Sequence, residues 1–430
     1  MFSLIVLVLF YLTVPAVLIW LTTKSSFLKK IGAIVMAYAL GIIIANVGIL
    51  PRGSKDFREL TIGQDRAFIP KTEAVQMLEA GTLSEHDFRV NRVAAIQDNM
   101  LTALVPLAIP LILFSLNVRR WLRFSGKGFL SMLLALASVM FIVATGYLIF
   151  RNKIPECDKI GGMLIGLYTG GSVNLAPIAL ALGVEPNAFI MTNTYDMIVG
   201  AVVILFFISA GPAFFRMFLP PFRKPEDRNG EVYDFDKVQK QMAEDFDDYS
   251  GIFRRENILP LLAAVGLAIV ILVIGLGISI LFPGVPMTIT AILSITTLGV
   301  ATSFIRKVRE IKKTFQVGMY FIIAFSIVIA SRCDLSVIFH ARYINLLLYV
   351  SYAYFGSLLL HLFLSWIFRV NADDYLITTT GFVYSPPFVP MVAAALKNKD
   401  VILTGLATGL IGWILGNYIG VAYGLWLGKI

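Results

Sequence analysis

Apolar runs of about 18 to 25 residues recur along the chain between short polar segments, each long enough to cross roughly 30 Å of hydrocarbon as a helix. The pattern predicts ten spans, at residues 2–22, 28–50, 97–116, 127–150, 188–211, 258–281, 286–304, 314–331, 343–368 and 400–427. Two more stretches, 161–183 and 373–397, are apolar but interrupted by Gly, Pro, Ser and Thr, and they occupy matching places before the fifth and tenth spans. The first run, "MFSLIVLVLFYLTVPAVLIWLTT", has neither a basic leader nor a small-residue cleavage site, so it reads as a span and not as a removable signal.

Composition agrees with this pattern. With 58% hydrophobic and 15% charged residues and a mean hydropathy of +0.81, an average soluble domain is excluded. The expected class is an all-α polytopic membrane protein whose partners are the lipid bilayer of the inner or plasma membrane and a small-molecule substrate. The net charge of +9 comes from basic residues in short loops, where they set orientation, so no nucleic-acid partner is expected. Cys157 and Cys333 lie far apart and there are three histidines, which leaves neither a disulfide framework nor a metal cluster to expect. No cofactor is expected beyond a sodium ion.

Charge also tests the topology. If each interrupted stretch is a re-entrant hairpin that returns to its side of entry, an outside N-terminus places the loops around Lys24, Lys29 and Lys30, around Arg119 to Lys127, and around Arg306 to Lys313 inside. Those segments are the most basic, as the positive-inside rule requires. Were the first stretch a full crossing, "RKVREIKK" would face outward. The chain then divides into a first repeat (1–211, hairpin 161–183), an inside linker (212–257) and an inverted second repeat (258–430, hairpin 373–397). Inverted repeats mark secondary transporters. Faint echoes accompany them: Thr169–Gly170 recurs as Thr380–Gly381, and Ile190, Thr192 and Gly200 match Ile402, Thr404 and Gly412 at constant offset. The loop 51–96 is placed outside, without an assigned role.

Irregular backbone at bilayer depth survives only where protein or trapped water satisfies its polar groups. In "YTGGSVNLAPIALALG" (168–183), Gly170 and Gly171 permit a tight reversal, after which the chain can restart as a half-helix with its positive end and free N–H groups facing a cavity. Thr169, Ser172 and Asn174 add side-chain donors and acceptors there. The second stretch offers Thr380, Gly381, Tyr384 and Ser385 before the helix-starting Pro386 and Pro387. These residues form the expected substrate site. Small residues also let helices pack closely, a purely structural use of the same letters. Asp196, inside the fifth span, is an expensive intramembrane carboxylate. It is read as a proton carrier or as a sodium ligand with Thr192, Asn193, Thr379 and hairpin carbonyls. Asp98, Asn99, Arg332 and Asp334 read as solvated or locally paired, Pro106 and Pro110 as kinks in the third span, and His361 as a packing or hydrogen-bonded residue.

The segments "PLAIPLILF", "GGMLIGLYTGGSVNLAPIALALGV", "NTYDMIVGAVVILFF" and "GLIGWILGNYIG" resemble the membrane-protein family designated domain of unknown function 819, over nearly the whole chain. More distantly, the layout is similar to sodium/glutamate symporters, 2-hydroxycarboxylate transporters and bile acid/sodium symporters. That resemblance implies hairpin tips that bind substrate and sodium, here Thr169 to Asn174 and Thr379 to Ser385. It also implies a mobile core that slides against a dimerising scaffold, hence a homodimer. The second tip, "GFVYSPP", departs from the Gly-rich turn of those families. The function expected is cation-coupled transport, by sodium or proton, of a small organic anion such as a carboxylate, amino acid or short peptide. A channel is the alternative, because re-entrant loops also build pores. An enzyme is not expected: an aspartyl intramembrane protease needs a second carboxylate, and "GLG" at 275–277 is followed by Ile278.

Overall fold

A computed structural model describes residues 4–25, 28, 32–54, 56–57, 61, 68–115, 126–222, 248–332, 341–398 and 400–430, the side chains of 341–343, 387 and 390 excepted. Cys333, Asp334, most of the linker 212–257 and the loop holding Arg119, Arg120 and Arg123 lie outside the described residues.

All regular structure among the described residues is helical. In chain order the helices are α1 (Leu4–Lys24), α2 (Ala33–Asn46), α3 (Lys71–Glu79), α4 (Glu85–Phe114), α5 (Gly126–Phe150), α6 (Cys157–Gly170), α7 (Ser172–Leu182), α8 (Pro186–Ile208), α9 (Gly211–Arg216) and α10 (Arg255–Ile280). They continue with α11 (Met287–Ser303), α12 (Arg306–Arg309), α13 (Thr314–Ala330), α14 (Ala341–Ile367), α15 (Ala372–Tyr384), a 3-10 turn (Pro386–Phe388), α16 (Val389–Leu396) and α17 (Ile402–Leu427). Seven of these, α1, α4, α5, α8, α10, α14 and α17, are long and apolar enough to cross a membrane. The protein is thus a multi-pass membrane protein. The predicted spans 28–50, 286–304 and 314–331 form helices of 14, 17 and 17 residues. At about 1.5 Å per residue these reach roughly 21 to 26 Å, less than the hydrocarbon thickness. The helix of the third predicted span begins earlier than its apolar run, because Ser84 caps the polar start of α4, its Oγ accepting from the Asp87 main-chain N–H at 3.0 Å.

The chain forms two compact units. The first comprises Met1–Ala108 and Gly318–Phe339. Its apolar helices are pinned by a buried polar knot in which Gln97 Nε2 donates to Tyr11 Oη and Ser331 Oγ, both at 2.9 Å, and those two hydroxyls share a bond of 2.7 Å. The segment 51–96 has a small core of its own, Phe57, Ile69, Ala74 and Leu83. Asn91 there exchanges two hydrogen bonds with the Ile69 main chain.

The second unit, Ile109–Val317 and His340–Ile430, carries both interrupted stretches. Apolar side chains gain little by leaving lipid for protein, so close packing does the work here. The glycines of α17 at 405, 409, 412, 416, 420 and 424 recur every three or four residues and line one face. A Cβ at Gly409 would fall 2.6 Å from the Gly381 carbonyl of α15, and one at Gly420 2.8 Å from the Gly162 carbonyl of α6. One helix thereby runs along an arm of each interrupted stretch.

Outside the helices, Lys313 Nζ meets Asp248 Oδ2 at 2.7 Å. Hydrogen bonding from that ammonium, with help from Ser250, draws the Asp248 carboxyl down to about 2. Because the folded value lies below the unfolded one, the stabilisation is present above about pH 4 and fades as pH falls toward 2. Asp248 is 43% exposed, which limits the pair to under about 1 kcal/mol. Asp248→Asn is therefore expected to lower thermal stability slightly at pH 7 and not at pH 2, as a pH series of melting curves will show.

Candidate functional site

Each interrupted stretch is a helical hairpin. In the first, α6 ends at Gly171 (φ 72, ψ −167) and α7 runs back along it: a Cβ on Gly166 would press on Ile178 and one on Gly162 on Leu182. The base is closed by Lys159 Nζ, bonded to Glu156 Oε1 at 2.6 Å and to the Gly183 carbonyl at 3.0 Å. In the second, α15 ends at Ser385 (φ 75, ψ 165), followed by the 3-10 turn and α16. Its base is closed by Asp373, which accepts from Asn398 Nδ2 at 2.8 Å and from Arg216 at 3.0 Å, while Arg216 also reaches the Leu396 carbonyl.

The two breaks have the same backbone conformation, one that is essentially confined to glycine. The caps that end the return arms, Gly183 (φ 63, ψ 50) and Lys397 (φ 55, ψ 31), match as well. Both pairs are separated by the same number of residues. The equivalence is therefore Gly171 with Ser385, and the pairing of Thr169–Gly170 with Thr380–Gly381 suggested by sequence is out of register. Gly381 has another task, since its missing side chain lets the Gly405 backbone approach.

The tips touch. Ser385 Oγ donates to the Gly170 carbonyl at 2.9 Å, and a Cβ on Gly171 would occupy the position of that hydroxyl. Asn174 Nδ2 donates to the Gly412 carbonyl of α17 at 2.9 Å, whereas its Oδ1 is buried without a partner. In the second hairpin Tyr384 Oη donates to the Gly200 carbonyl of α8 at 2.8 Å. Gly200 and Gly412 are the pair already matched in sequence. Neither α7 nor α16 has a side-chain cap at its N-terminus, and Ser172, the first residue of α7, is exposed between buried Gly171 and Asn174.

Asp196 faces this junction. Its Oδ1 is buried without a partner, and the Tyr168 hydroxyl of the first tip lies against the carboxylate. Tyr354 of α14 donates to Tyr384, and its ring meets that of Tyr168 edge-on at 5.2 Å. Phenols from three helices, α6, α14 and α15, are thus gathered about one carboxylate of α8. Other expected ion ligands are engaged differently: Thr192 Oγ1 donates to the Ala188 carbonyl (2.7 Å), Asn193 Nδ2 to Met197 Sδ (3.3 Å), and Thr379 Oγ1 pairs with His361 Nδ1 (3.2 Å). Thr169 and Thr380 spend their hydroxyls on carbonyls of their own helices. Tyr168 and Tyr354 escaped the sequence reading. The available signal was an aromatic residue just before each break, and Tyr354 had none.

The arrangement offers one uncapped half-helix start, that of α7, a buried unpaired amide oxygen and a carboxylate with a free oxygen, all around contacting tips; the second hairpin restarts on Pro386 and Pro387, which have no N–H, with the Phe388 and Val389 amides bonded to the Ser385 and Pro386 carbonyls. Such a set can hold a polar passenger at a depth where water is scarce. Comparison with known proteins agrees on the class. The chain is 26% identical over 345 residues to the uncharacterized membrane protein YjcL of Bacillus subtilis (strain 168), covering 77% of this chain and 83% of that one. A family model described as protein of unknown function (DUF819) matches residues 86–430, four-fifths of the length and both hairpins, and the chain belongs to that family of membrane proteins.

Proposed function

We propose that this protein is a secondary active transporter that moves a small organic anion, a carboxylate, amino acid or short peptide, coupled to a cation. The observation that carries the reading is the direct contact of two interrupted helices at matching backbone breaks, Gly171 and Ser385. Broken helices are retained in membranes where they line a site, and the uncapped start of α7 favours negative charge. The matched breaks, matched caps and the Gly200 and Gly412 carbonyls, each accepting from a hairpin, support two inverted repeats with re-entrant hairpins. Asp196 is the proposed cation site, with its free oxygen toward the ion. Alternating access would follow from reorientation of the hairpin-bearing unit in the bilayer.

The test starts with ligands. Purified protein is screened for thermal stabilisation by sodium, lithium and acid pH, each crossed with a panel of organic anions. A ligand at a hundred times its Kd stabilises by about 2.7 kcal/mol. A stabilising pair is then assayed in vesicles for counter-flow, in which internal substrate accelerates uptake of labelled external substrate. Asp196→Asn is expected to remove the ion-dependent part of the stabilisation. Rapid ion conductance without counter-flow would favour a pore. Cysteines at 155 and 398, in a background lacking Cys157 and Cys333, are expected to label from opposite faces; labelling from one face would contradict the inverted arrangement.

A further inference from the structure

His361 lies in the apolar run "LLLHLFL" of α14 and is 2% exposed. Its Nε2 is 3.2 Å from Ser131 Oγ of α5, and its Nδ1 is 3.2 Å from Thr379 Oγ1 of α15, the leading arm of the second hairpin. Each hydroxyl continues into a chain. Ser131 Oγ is 2.6 Å from Thr378 Oγ1, which donates to the Asp374 carbonyl at 2.7 Å. The Thr379 hydroxyl lies against that of Tyr375, which donates to the Leu358 carbonyl at 2.9 Å, with the Tyr375 ring 4.5 Å from the imidazole. Four hydroxyls have been gathered from two helices around one ring, in a region where each polar group must be satisfied internally.

We propose that His361 is a proton-binding site whose occupancy is coupled to the position of the second hairpin, which makes the proton a coupling ion; the coupling part rests on the carrier reading above. The argument is one of hydrogen-bond direction. In the imidazolium both ring nitrogens donate. The two chains then run outward, from Nε2 through Ser131 and Thr378 to the Asp374 carbonyl, and from Nδ1 through Thr379 and Tyr375 to the Leu358 carbonyl. Every donor ends on an acceptor. In the neutral ring one nitrogen accepts; the hydroxyl next to it and the following one both turn to donate inward, and the carbonyl at the end of that chain gives up its side-chain donor while keeping its place in the helix. The site is satisfied in both protonation states, as a site that fills and empties must be.

The charged neighbours are distinct from the ring, and its nitrogens report on it separately from them. On α5 the closest along the chain is Lys127, one turn before Ser131, and its Nζ donates to the Phe368 carbonyl. On α15, Asp374 accepts from Asn371 Nδ2 at Oδ2 and leaves Oδ1 buried without a partner, and Asp373 is paired with Arg216. Tyr375 is the titratable side chain in ring contact. The sealed ring can exchange its proton only when α15 moves away from α5 and α14. Charge-assisted bonds from the imidazolium favour the closed position, and that difference is the coupling.

The chain has three histidines, so imidazole-labelled full-length protein in nanodiscs gives a resolvable nitrogen NMR spectrum, assigned with His361→Gln. On acidification from pH 8 to pH 3 the His361 nitrogens are expected to pass from the neutral toward the imidazolium pattern. Ser131→Ala or Thr379→Val, which leave the histidine in place, are expected to lower its proton affinity about tenfold, one unit on the pH axis. A ring that stays wholly neutral to pH 3, or one that titrates identically without its hydroxyl partners, overturns the proposal even if counter-flow is observed. If the ring titrates as expected, loss of pH-gradient-driven uptake in His361→Gln supports the coupling, and unchanged uptake overturns it. Absence of counter-flow for every stabilising ligand would instead overturn the carrier reading and leave the proton site standing.

Discussion

Gly171→Ala is expected to destabilise the protein by about 2 to 4 kcal/mol, and Ser385→Gly in the same chain is expected to recover part of that loss. Two costs combine at Gly171. Its backbone (φ 72, ψ −167) lies where a side chain costs about 1 to 3 kcal/mol. The new methyl would also take the place of Ser385 Oγ, so that the hydroxyl must turn away and the Gly170 carbonyl loses its donor, worth about 1 kcal/mol. Removing the Ser385 side chain abolishes the collision but not the backbone strain. The double variant should therefore be more stable than the sum of the single changes by about 1 to 2 kcal/mol, a coupling expected of residues in contact. Ser385→Gly alone exchanges relief of strain for a lost hydrogen bond and should change stability by less than about 1 kcal/mol. Melting curves of the four proteins close the cycle, and strict additivity would show that the tips do not touch.

The second large effect is expected at Gly412, where the sign of the change is informative. Alanine usually stabilises a helix relative to glycine by about 1 kcal/mol. In α17 a Cβ at residue 412 would collide with the Thr169 carbonyl and press on Gly170 Cα at 3.2 Å, with the Asn174 bond to the Gly412 carbonyl disturbed as well. Overpacking of this kind costs about 1 to 3 kcal/mol or more, so Gly412→Ala should destabilise clearly. Gly277 of α10 is the control, since a Cβ there meets nothing within 4 Å. Gly277→Ala should be neutral or slightly stabilising. Equal responses at the two positions would mean that α17 does not lie against the first hairpin as described.

Much of the architecture was legible in the sequence because its cause is local. A run such as 255–280 has no other stable use than a long buried or lipid-facing helix, and it forms one. The interruptions at 168–183 and 373–397 were legible for the converse reason, since Gly, Pro, Ser and Thr weaken a helix wherever they cluster. The location of the second break was not. Gly381 and Ser385 both stood in the expected second tip ahead of the helix-starting Pro386 and Pro387, and because glycine permits close approach as well as positive φ, sequence does not say whether the chain turns at Gly381 itself. The break fell four residues later at Ser385, in a conformation that the surrounding contacts impose on a residue that would avoid it. Lengths misled as well: span 28–50 was read from hydropathy, but its helix covers only Ala33–Asn46.

The candidate site was half legible. The tip residues and Asp196 stood out because polar groups at bilayer depth are expensive. Their partners did not, because Tyr168, Tyr354 and Tyr384 come from three helices and no periodicity links them to Asp196. His361 likewise reads as an isolated residue until α5 and α15 bring it Ser131 and Thr379.

By itself the sequence determined the helical class, the membrane setting, the placement of the long spans and the existence of two weakened stretches, all consequences of transfer free energy and backbone preference summed over neighbouring residues. Only the tertiary structure decided that both stretches fold back as hairpins, that they meet at Gly171 and Ser385, and that a free carboxylate oxygen and a doubly bonded imidazole stand near them. Those are contacts between residues more than two hundred positions apart in several cases, and their energy exists only once packing has brought the partners within hydrogen-bond reach.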